Sequence, residues 1–267
     1  MLRNAKRFIY VTVGHNVKKG TNEIKNYKME SWKTENLAET YLDGVRSAIP
    51  LANEQIEILL RLIKRFRPNV ESFLDLGCGD GVLGKTLYTN WTESKGIFVD
   101  YSEPMINAAK IKCKEYENQS VFVVQDFGKA DWLNSISTKL PVDVVISGFS
   151  IHHQNDDNKK RIYTEIFEKI LKPGGIFLNL EQVKSATPEI ETIFNEFFMD
   201  RMRQFQQETN SNIPIETIEE EFYKDKKVNI LASVEQQCEW LRELGFTNVD
   251  CFFKIFELSI FGGIKPK

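Results

Sequence analysis

The sequence predicts an α/β fold in which a doubly wound, mostly parallel sheet of seven strands is flanked by helices. Three observations carry this prediction. From residue 70 onward, apolar strand-like runs alternate with amphipathic helix-like runs. The first run, residues 70–76, is apolar enough for burial on both faces and leads directly into closely spaced glycines. The last two runs, residues 249–256 and 259–264, follow each other without a helix and predict an antiparallel pair.

Each element has a local signal. Strands are predicted at residues 70–76, 95–100, 121–124, 142–147, 176–180, 249–256 and 259–264. Ser102, followed by Glu103 and Pro104, predicts a helix start, and that helix runs to about residue 116. Asn155 or Asp156 starts the next helix, and the Pro-Gly-Gly of residues 173–175 ends it before the fifth strand. Ser233 and Gln236 form a capping box for a helix that ends at Gly245.

Two regions lie outside this alternation. Residues 31–67 hold a short helical piece at 37–45 and a helix at 51–66, and residues 185–232 hold a helix to about residue 207 and a shorter acidic helix near 218–223. Insertions at the ligand edge of an α/β sheet commonly shape a substrate pocket. We expect one domain, residues 31–267, with these two regions as lid segments.

Composition bounds the class of protein. The chain has 267 residues, 42% hydrophobic content and a formal net charge of −3, and it has no apolar run of membrane-spanning length. The four cysteines lie far apart, which indicates reduced thiols rather than a disulfide framework or a zinc site. We therefore expect a cytoplasmic protein without a membrane partner. The sequence predicts no oligomeric state.

Residues 1–30 form a basic arm. Such an arm can contact nucleic acid, but the same composition is typical of a solvated, poorly ordered terminus. The arm lacks interleaved arginine and aromatic residues, and the whole chain is acidic, so a nucleic-acid partner is disfavoured.

The glycine turn after the first strand holds Gly77, Gly79 and Gly81, which remove Cβ atoms where a backbone must approach a ligand. A dinucleotide-binding turn is the obvious competitor, but its third glycine would fall at position 82, which is Val82. Asp75, just ahead of the turn, is suited to an ammonium group rather than a pyrophosphate. The spacing and the carboxylate together favour recognition of a cation.

These residues, with Asp100, the pair Asp126-Phe127 and the Leu-Lys-Pro-Gly-Gly of residues 171–175, resemble the class I S-adenosylmethionine (SAM)-dependent methyltransferases, which have a Rossmann-like fold. The resemblance covers about residues 41–265. It implies SAM as cofactor, S-adenosylhomocysteine (SAH) as product and a small-molecule acceptor. It also implies the cofactor contacts: Asp75 near the amino group, Gly77, Gly79 and Gly81 beneath the methionine part, and Asp100 on the ribose. Around the adenine it implies Tyr101, Met105, Asp126 and Phe127. Ser147, at the end of the fourth strand, and Arg46 complete the implied contacts.

Residues 41–50 resemble the lid segment of the carboxy-SAM synthase group, in which an arginine ahead of the proline reaches the cofactor. Arg46 is the matching position, and a guanidinium can clamp a carboxylate of cofactor or substrate. The resemblance departs from that group after the fourth strand, and neither Arg201 nor Arg203 fits the group's further arginine without a one-residue shift. We place Tyr41, Arg46, Phe198 and Arg201 among the candidate substrate-binding residues.

His152 and His153 follow the fourth strand, at the edge where an acceptor would lie. Imidazole is well matched to taking a proton near neutral pH, so either histidine is a candidate general base. The alternative is that the histidines are structural and that methyl transfer proceeds by alignment alone. Asp156 and Asp157 are poorly spaced for a metal site with these histidines, and we expect no metal.

The sequence thus predicts an enzyme that transfers the SAM methyl group to an O, N or C atom of a small molecule. Residues 147–150 lack the Asn/Asp-Pro-Pro-Tyr/Phe segment of nucleic-acid amino methyltransferases, which disfavours base methylation. An enzyme that makes or uses carboxy-SAM is the first alternative. A SAM-binding protein without turnover is the alternative from another class.

Overall fold

The structure is a computed structural model that describes residues 49–209, 215–227 and 229–267. The predicted basic arm, the helical piece predicted at 37–45, Tyr41 and Arg46 lie outside the described residues. The strands are β1 (Ser72–Leu76), β2 (Lys95–Asp100), β3 (Ser120–Val124), β4 (Val142–Gly148), β5 (Leu171–Gln182), β6 (Thr247–Ile255) and β7 (Leu258–Ile264). The helices are α1 (Ala52–Phe66), α2 (Val82–Asn90), α3 (Glu103–Lys112), α4 (Asp156–Glu165), α5 (Pro188–Thr209), α6 (Ile215–Lys226) and α7 (Val234–Glu243).

The sheet confirms the predicted fold class. Its strands form one seven-stranded sheet in the order β3-β2-β1-β4-β5-β7-β6. The neighbouring pairs are parallel except for the two that involve β7, which are antiparallel. The strand order reverses between β1 and β4, and ligands of open α/β sheets bind outside the carboxyl ends of the strands at such a point.

The two faces of the sheet are buried in separate cores, as the apolar strands predict. In β1, Phe73 faces the side covered by α1, α2 and α3, where its ring packs edge-on against Tyr88 with centroids 4.9 Å apart. Leu74 and Leu76 face the opposite side, which is covered by α4 and α7. Successive residues of one strand therefore stabilise both layers.

The three predicted helix starts are confirmed, but the helix that begins after Asn155 ends at Glu165, and a π-helical segment at Ile166–Ile170 leads into β5 before the Pro-Gly-Gly. The Ser102 side chain accepts a hydrogen bond from the Met105 amide, Asn155 accepts from Asn158, and Ser233 accepts from Gln236. The helix that begins after Ser102 ends at Lys112, earlier than predicted, and a 3₁₀ segment follows at Lys114–Gln119.

The fifth strand begins earlier than residue 176. The Pro-Gly-Gly turn lies inside β5, because the Gly174 amide donates to the Lys265 carbonyl and the Lys265 amide donates to the Gly175 carbonyl, each at 2.9 Å. The residues predicted to end the helix therefore form backbone hydrogen bonds with the segment after β7. That pairing joins distant parts of the chain, so local sequence signals do not show it.

The second insertion lies against the carboxyl edge of the sheet. Phe194 and Phe198 of α5, Phe222 of α6, Phe149 after β4 and Leu258 of β7 belong to a third hydrophobic cluster, which also includes Ile49. The two helices match the predicted ones in position, and each extends beyond its predicted end. Among the described residues, no helix combines the length and hydropathy that crossing a bilayer requires.

Candidate active site

The glycine turn has backbone φ angles that residues with a side chain rarely adopt. Gly77, Gly79 and Gly81 have φ angles of +69°, +53° and +78°. A Cβ at Gly77 would lie 2.2 Å from the Ser150 Oγ, so only glycine fits under the loop that follows β4. A Cβ at Gly79 would meet no atom within 4 Å, so this side of the turn is open to a ligand.

Asp75 lies behind the turn. It is 1% exposed, and its Oδ2 accepts a hydrogen bond of 2.8 Å from the Gly84 amide in the first turn of α2. This carboxylate therefore stabilises the helix that leaves the turn. Its predicted contact with the amino group of SAM stays a prediction.

Asp100 ends β2 directly beside the turn. Its Oδ2 accepts from the Gly79 amide and its Oδ1 from the Ser102 amide, each at 2.9 Å. Burial raises the pKa of Asp100, and the backbone donors at Ser102 and Gly79 oppose that rise. The Tyr101 backbone is a third donor to this carboxylate, so of its about four lone-pair sites about one remains in number for a ribose hydroxyl.

The predicted adenine-binding residues lie on the segments that follow β2 and β3. The Gln125 amide donates to the Asp100 carbonyl at 2.8 Å and brings Asp126 to the same edge, where the Asp126 Oδ1 accepts from Gly128. Met105 is 2% exposed, and Tyr101 is half-buried. Phe127 is 5% exposed and packs against Trp132 in the core, so its role over the adenine stays a prediction.

Ser147 joins the ends of β1 and β4. Its Oγ donates to the Leu76 carbonyl at 2.8 Å and lies 2.9 Å from the Ser150 Oγ, and the Ser150 hydroxyl also donates to Leu76. Between them Phe149 has a φ of +52°, a strained conformation for an aromatic residue. The strain is fixed by the Phe149 amide, which donates to the Leu180 carbonyl at 2.8 Å. These bonds set the path of the loop that carries both candidate histidines.

His152 forms a buried pair with Glu181, a residue that the sequence analysis did not select. Its Nδ1 makes a short hydrogen bond with the Glu181 Oε1, and its amide donates to the Oε2 at 2.9 Å. The two side chains are 7% and 1% exposed. Burial raises the pKa of Glu181 to about 8, against the opposing effect of its hydrogen-bond donors. When Glu181 is ionised, the Nδ1–H of a neutral His152 donates to it, and the lone pair of the imidazole is then on Nε2.

His153 lies beside this pair, with its ring centroid 4.0 Å from that of His152. The described residues contain no group of three His, Cys, Asp or Glu side chains arranged to hold a metal ion.

The candidate substrate-binding residues of the second insertion divide in two. Phe198 stacks on Phe222 with ring centroids 4.9 Å apart, in the cluster over the carboxyl edge. Arg201 donates to Gln204 of its own helix, and Arg203 pairs with Asp200. The aromatic side of α5 therefore faces the sheet edge, while both arginines contact neighbours on α5.

The missed Glu181 had a visible signal. It is a carboxylate directly after residues 176–180, which are apolar but for Asn179. A carboxylate at such a position lies at the ligand edge of a parallel sheet. Only the adjacency of β4 and β5 shows that its partner is His152.

Comparison with known proteins finds methyltransferases and related enzymes among the similar chains. Residues 73–175 match the family model described as a methyltransferase domain. The chain is 21% identical to the carboxy-S-adenosyl-L-methionine synthase of Nautilia profundicola, over 86% of this chain and 93% of that protein. It is 36% identical to the demethylmenaquinone methyltransferase of Leptospira interrogans, over 47% of this chain and 48% of that protein.

An O-methyltransferase family protein from Burkholderia thailandensis has a similar fold, with a TM-score of 0.57 and 16% identity over 81% of this chain. This chain spans 57% of the length of that structure. The match of residues 73–175 to a methyltransferase domain, the sheet order and the similar fold of an O-methyltransferase support a class I SAM-dependent methyltransferase. The cofactor of this family is SAM.

Proposed function

We propose that the chain methylates a small acceptor whose nucleophilic atom carries a proton, with His152 as general base and Glu181 as the residue that orients it. The single observation behind this proposal is the buried His152–Glu181 pair at the carboxyl edge. A buried ion pair is weak evidence for stability, because desolvation offsets most of the attraction. A function that needs a defined histidine tautomer explains the pair better.

The residues that hold SAM in this proposal fit its chemistry. Gly79 leaves room for the methionine part, and Asp100 offers an acceptor to the ribose. When bound, SAM supplies an electrophilic methyl group on its sulfonium. The protein's own tasks are alignment, exclusion of water and removal of the acceptor's proton.

His152 would remove that proton through Nε2. The carboxylate of Glu181 favours the imidazolium that forms, as the acidic member of a catalytic triad does. Because the pKa of Glu181 is raised to about 8, the pair holds one proton below that pH and loses it above. We therefore expect turnover to rise with pH up to about 8.

The acceptor would lie between the loop of Phe149 and the aromatic side of α5. Phe149, Phe198 and Phe222 share one cluster over the carboxyl edge. Apolar walls with a few polar groups are typical of sites for small ligands. We infer an acceptor with a substantial apolar or aromatic part.

Separate His152→Gln and His153→Gln variants test the base. A glutamine at 152 can still donate an N–H to Glu181, so the carboxylate keeps a partner while the base is lost. We expect His152→Gln to lower turnover by about 100-fold or more with SAH affinity unchanged. His153→Gln is the matched control and should retain most activity. The assay is SAH release with an acceptor found by incubating labelled SAM with extract fractions.

If both variants keep full activity, the histidines are structural and alignment alone carries the reaction. If His153→Gln is the inactive variant, the base is His153 and the role given to Glu181 is wrong.

A second candidate is an enzyme that forms or uses carboxy-SAM, favoured by the likeness to the Nautilia synthase over 93% of its length. Arg201 and Arg203 bind neighbours on their own helix, so Arg46 is the residue that would clamp the added carboxylate. Mass spectrometry of the ligand that co-purifies separates the two candidates. Carboxy-SAM in the purified protein would favour the second one.

A further inference from the structure

A line of buried polar side chains runs from the His152–Glu181 pair into the apolar core between the sheet and α4. The Nδ2 of Asn179 lies 3.4 Å from the Glu181 Oε2 and 3.5 Å from the Tyr163 hydroxyl oxygen. The Tyr163 hydroxyl donates to the Gln237 Oε1 of α7 at 2.6 Å. Asn179 and Tyr163 are both fully buried.

The hydrogen bonds along this line have a fixed order of donors and acceptors. Burial keeps the pKa of Tyr163 well above its ordinary value, so the hydroxyl keeps its proton and donates a hydrogen bond to the Gln237 Oε1. The oxygen of Tyr163 is then an acceptor for the Asn179 amide. An amide held this way presents its N–H₂ group, rather than its carbonyl, to Glu181.

This orientation of the Asn179 amide leaves its carbonyl oxygen without a hydrogen bond, and packing alone does not explain that. The Oδ1 of Asn179 is buried, and within the described part of the chain it has no hydrogen-bond partner. Rotating the amide would turn Oδ1 toward Tyr163 and Glu181, where it would face a carboxylate oxygen. That arrangement is favourable only when Glu181 is protonated, so the orientation of Asn179 and the charge of Glu181 are coupled.

We propose that Asn179, held by Tyr163, is a positioning residue that favours the ionised form of Glu181 beside His152. The inference rests on the proposed function, in which His152 needs a carboxylate partner. Leu178 and Leu180, the neighbours of Asn179 in β5, pack in the opposite core, so Asn179 stands between the pair and the α4 layer.

The other groups around Glu181 are named by element. From the loop after β4 the group is His152, with His153 against its ring, and from α4 the groups are Lys159 and Tyr163. Lys159 is 1% exposed, bonds to Asp156 and the Ile230 carbonyl, and lowers the pKa of Glu181 by its charge. From β7, Ser259 donates to the backbone carbonyl of Glu181 rather than to its carboxylate.

The test is a pH titration of the His152 ring by NMR in the SAH complex. The chain has three histidines, so His153→Gln assigns the signals of neighbours. Asn179→Leu removes the donor with little change of volume. Loss of one hydrogen bond to a charged group raises the proton affinity of the pair, and the midpoint should rise by about one pH unit. The low-pH limb of turnover should move by the same amount.

Tyr163→Phe is the second variant, because it leaves the packing intact if Asn179→Leu does not fold. Its midpoint should move in the same direction by less. Ser259→Ala is the matched control, since it removes a buried contact to the backbone of Glu181, and its midpoint should equal that of the parent.

An unchanged midpoint in either folded variant, Asn179→Leu or Tyr163→Phe, overturns the proposal. The NMR reading does not require turnover, so the two proposals fail separately. A shifted midpoint in a protein whose His152→Gln variant stays active would reject the base and keep the role of Asn179. An inactive His152→Gln with an unshifted Asn179→Leu would do the reverse.

Discussion

Asp100 connects the turn to the proposed cofactor site through a single carboxylate. Both of its oxygens already accept backbone amides, those of Gly79 and Ser102. These bonds fix the rotamer before any ligand arrives, so little ordering is left to be done on binding. A ribose hydroxyl that donates to one of these oxygens would offset the desolvation that raises the pKa of Asp100.

Replacing Asp100 with Asn should therefore weaken SAH binding. The substitution keeps the shape and one acceptor oxygen but removes the charge. We expect a loss of about tenfold or more in affinity, the size of one charged hydrogen bond, measured by calorimetry.

Asp80→Asn is the matched control for this change. Asp80 lies in the same turn, but its carboxylate contacts Lys112 of α3 and the Val82 amide. Its affinity for SAH should stay within about twofold of the parent, well under the 1.4 kcal/mol that a tenfold change represents. Equal affinity in the Asp100 variant and the parent would remove Asp100 from the cofactor site.

The positions of candidate residues were predictable from the sequence where the residue lies at the end of a strand. Gly77, Asp100 and Ser147 end three adjacent strands, and the register brings them to one edge. Glu181 and Asn179 could not be recognised as partners of His152 and Tyr163, because each pair joins residues far apart in the sequence. Local patterns carry no information on such contacts.

Lys226 connects helices α5 and α6 to the sheet through two ion pairs. The Nζ of Lys226, at the end of α6, lies 3.2 Å from the Glu257 Oε1 and 3.0 Å from the Glu191 Oε1 of α5. Glu257 is 1% exposed and also accepts from Gln182 and Ser185, each at 2.8 Å. The connection from β5 to α5, the end of α6 and the β6–β7 turn therefore meet at one carboxylate.

Loosening this contact should loosen both helices. Lys226→Met keeps the alkyl stem beside the rings of Phe194 and Phe222 but leaves Glu257 without its cation. Breaking a buried pair from one side costs about 3–5 kcal/mol. We expect amide hydrogen exchange in α5 and α6 to speed up by about tenfold or more, while the central strands stay protected.

The neighbouring Lys227 is exposed, so Lys227→Met is the control and should leave exchange unchanged. Unchanged exchange in Lys226→Met would show that the aromatic cluster alone holds the insertion against the sheet.

Elements were predicted well where their signals are local. The caps at Ser102, Asn155 and Ser233 placed three helix starts, since a side-chain oxygen must satisfy the first amides of a helix. The predicted start of β5 was wrong because the Pro-Gly-Gly turn pairs with residues after β7. Glycine and proline signal a turn, but only the tertiary ladder shows that the turn belongs to a strand.

The molecule as a whole places chemistry at one edge. The strand order puts the ends of β1, β2, β4 and β5 side by side, and the loops after them carry the glycine turn, Asp100, His152 and Glu181. The opposite edge holds structural charges, such as Asp143 with Arg67 and Lys172. The pKa of Asp143 is lowered by hydrogen bonds from Lys172, the Glu71 amide, Arg67 and the Ser72 amide, although its burial acts the other way.

The overall fold was predictable because the strands are apolar on both faces and alternate with capped helices. The insertions were predictable as helices, but their contact with the carboxyl edge depends on the aromatic cluster of Phe149, Phe198 and Phe222. That cluster assembles residues from three separate segments. The predicted roles of Tyr41 and Arg46 belong to the part of the chain outside the described residues.

Calorimetric titration of the full chain with SAH, beside an identical titration with NAD, shows whether the carboxyl edge of the sheet binds SAM or a dinucleotide. The glycine spacing and Asp100 predict saturable one-to-one binding of SAH and no heat of binding with NAD. Binding of NAD, or the absence of SAH binding by folded protein, would contradict the assignment of this edge as a SAM site.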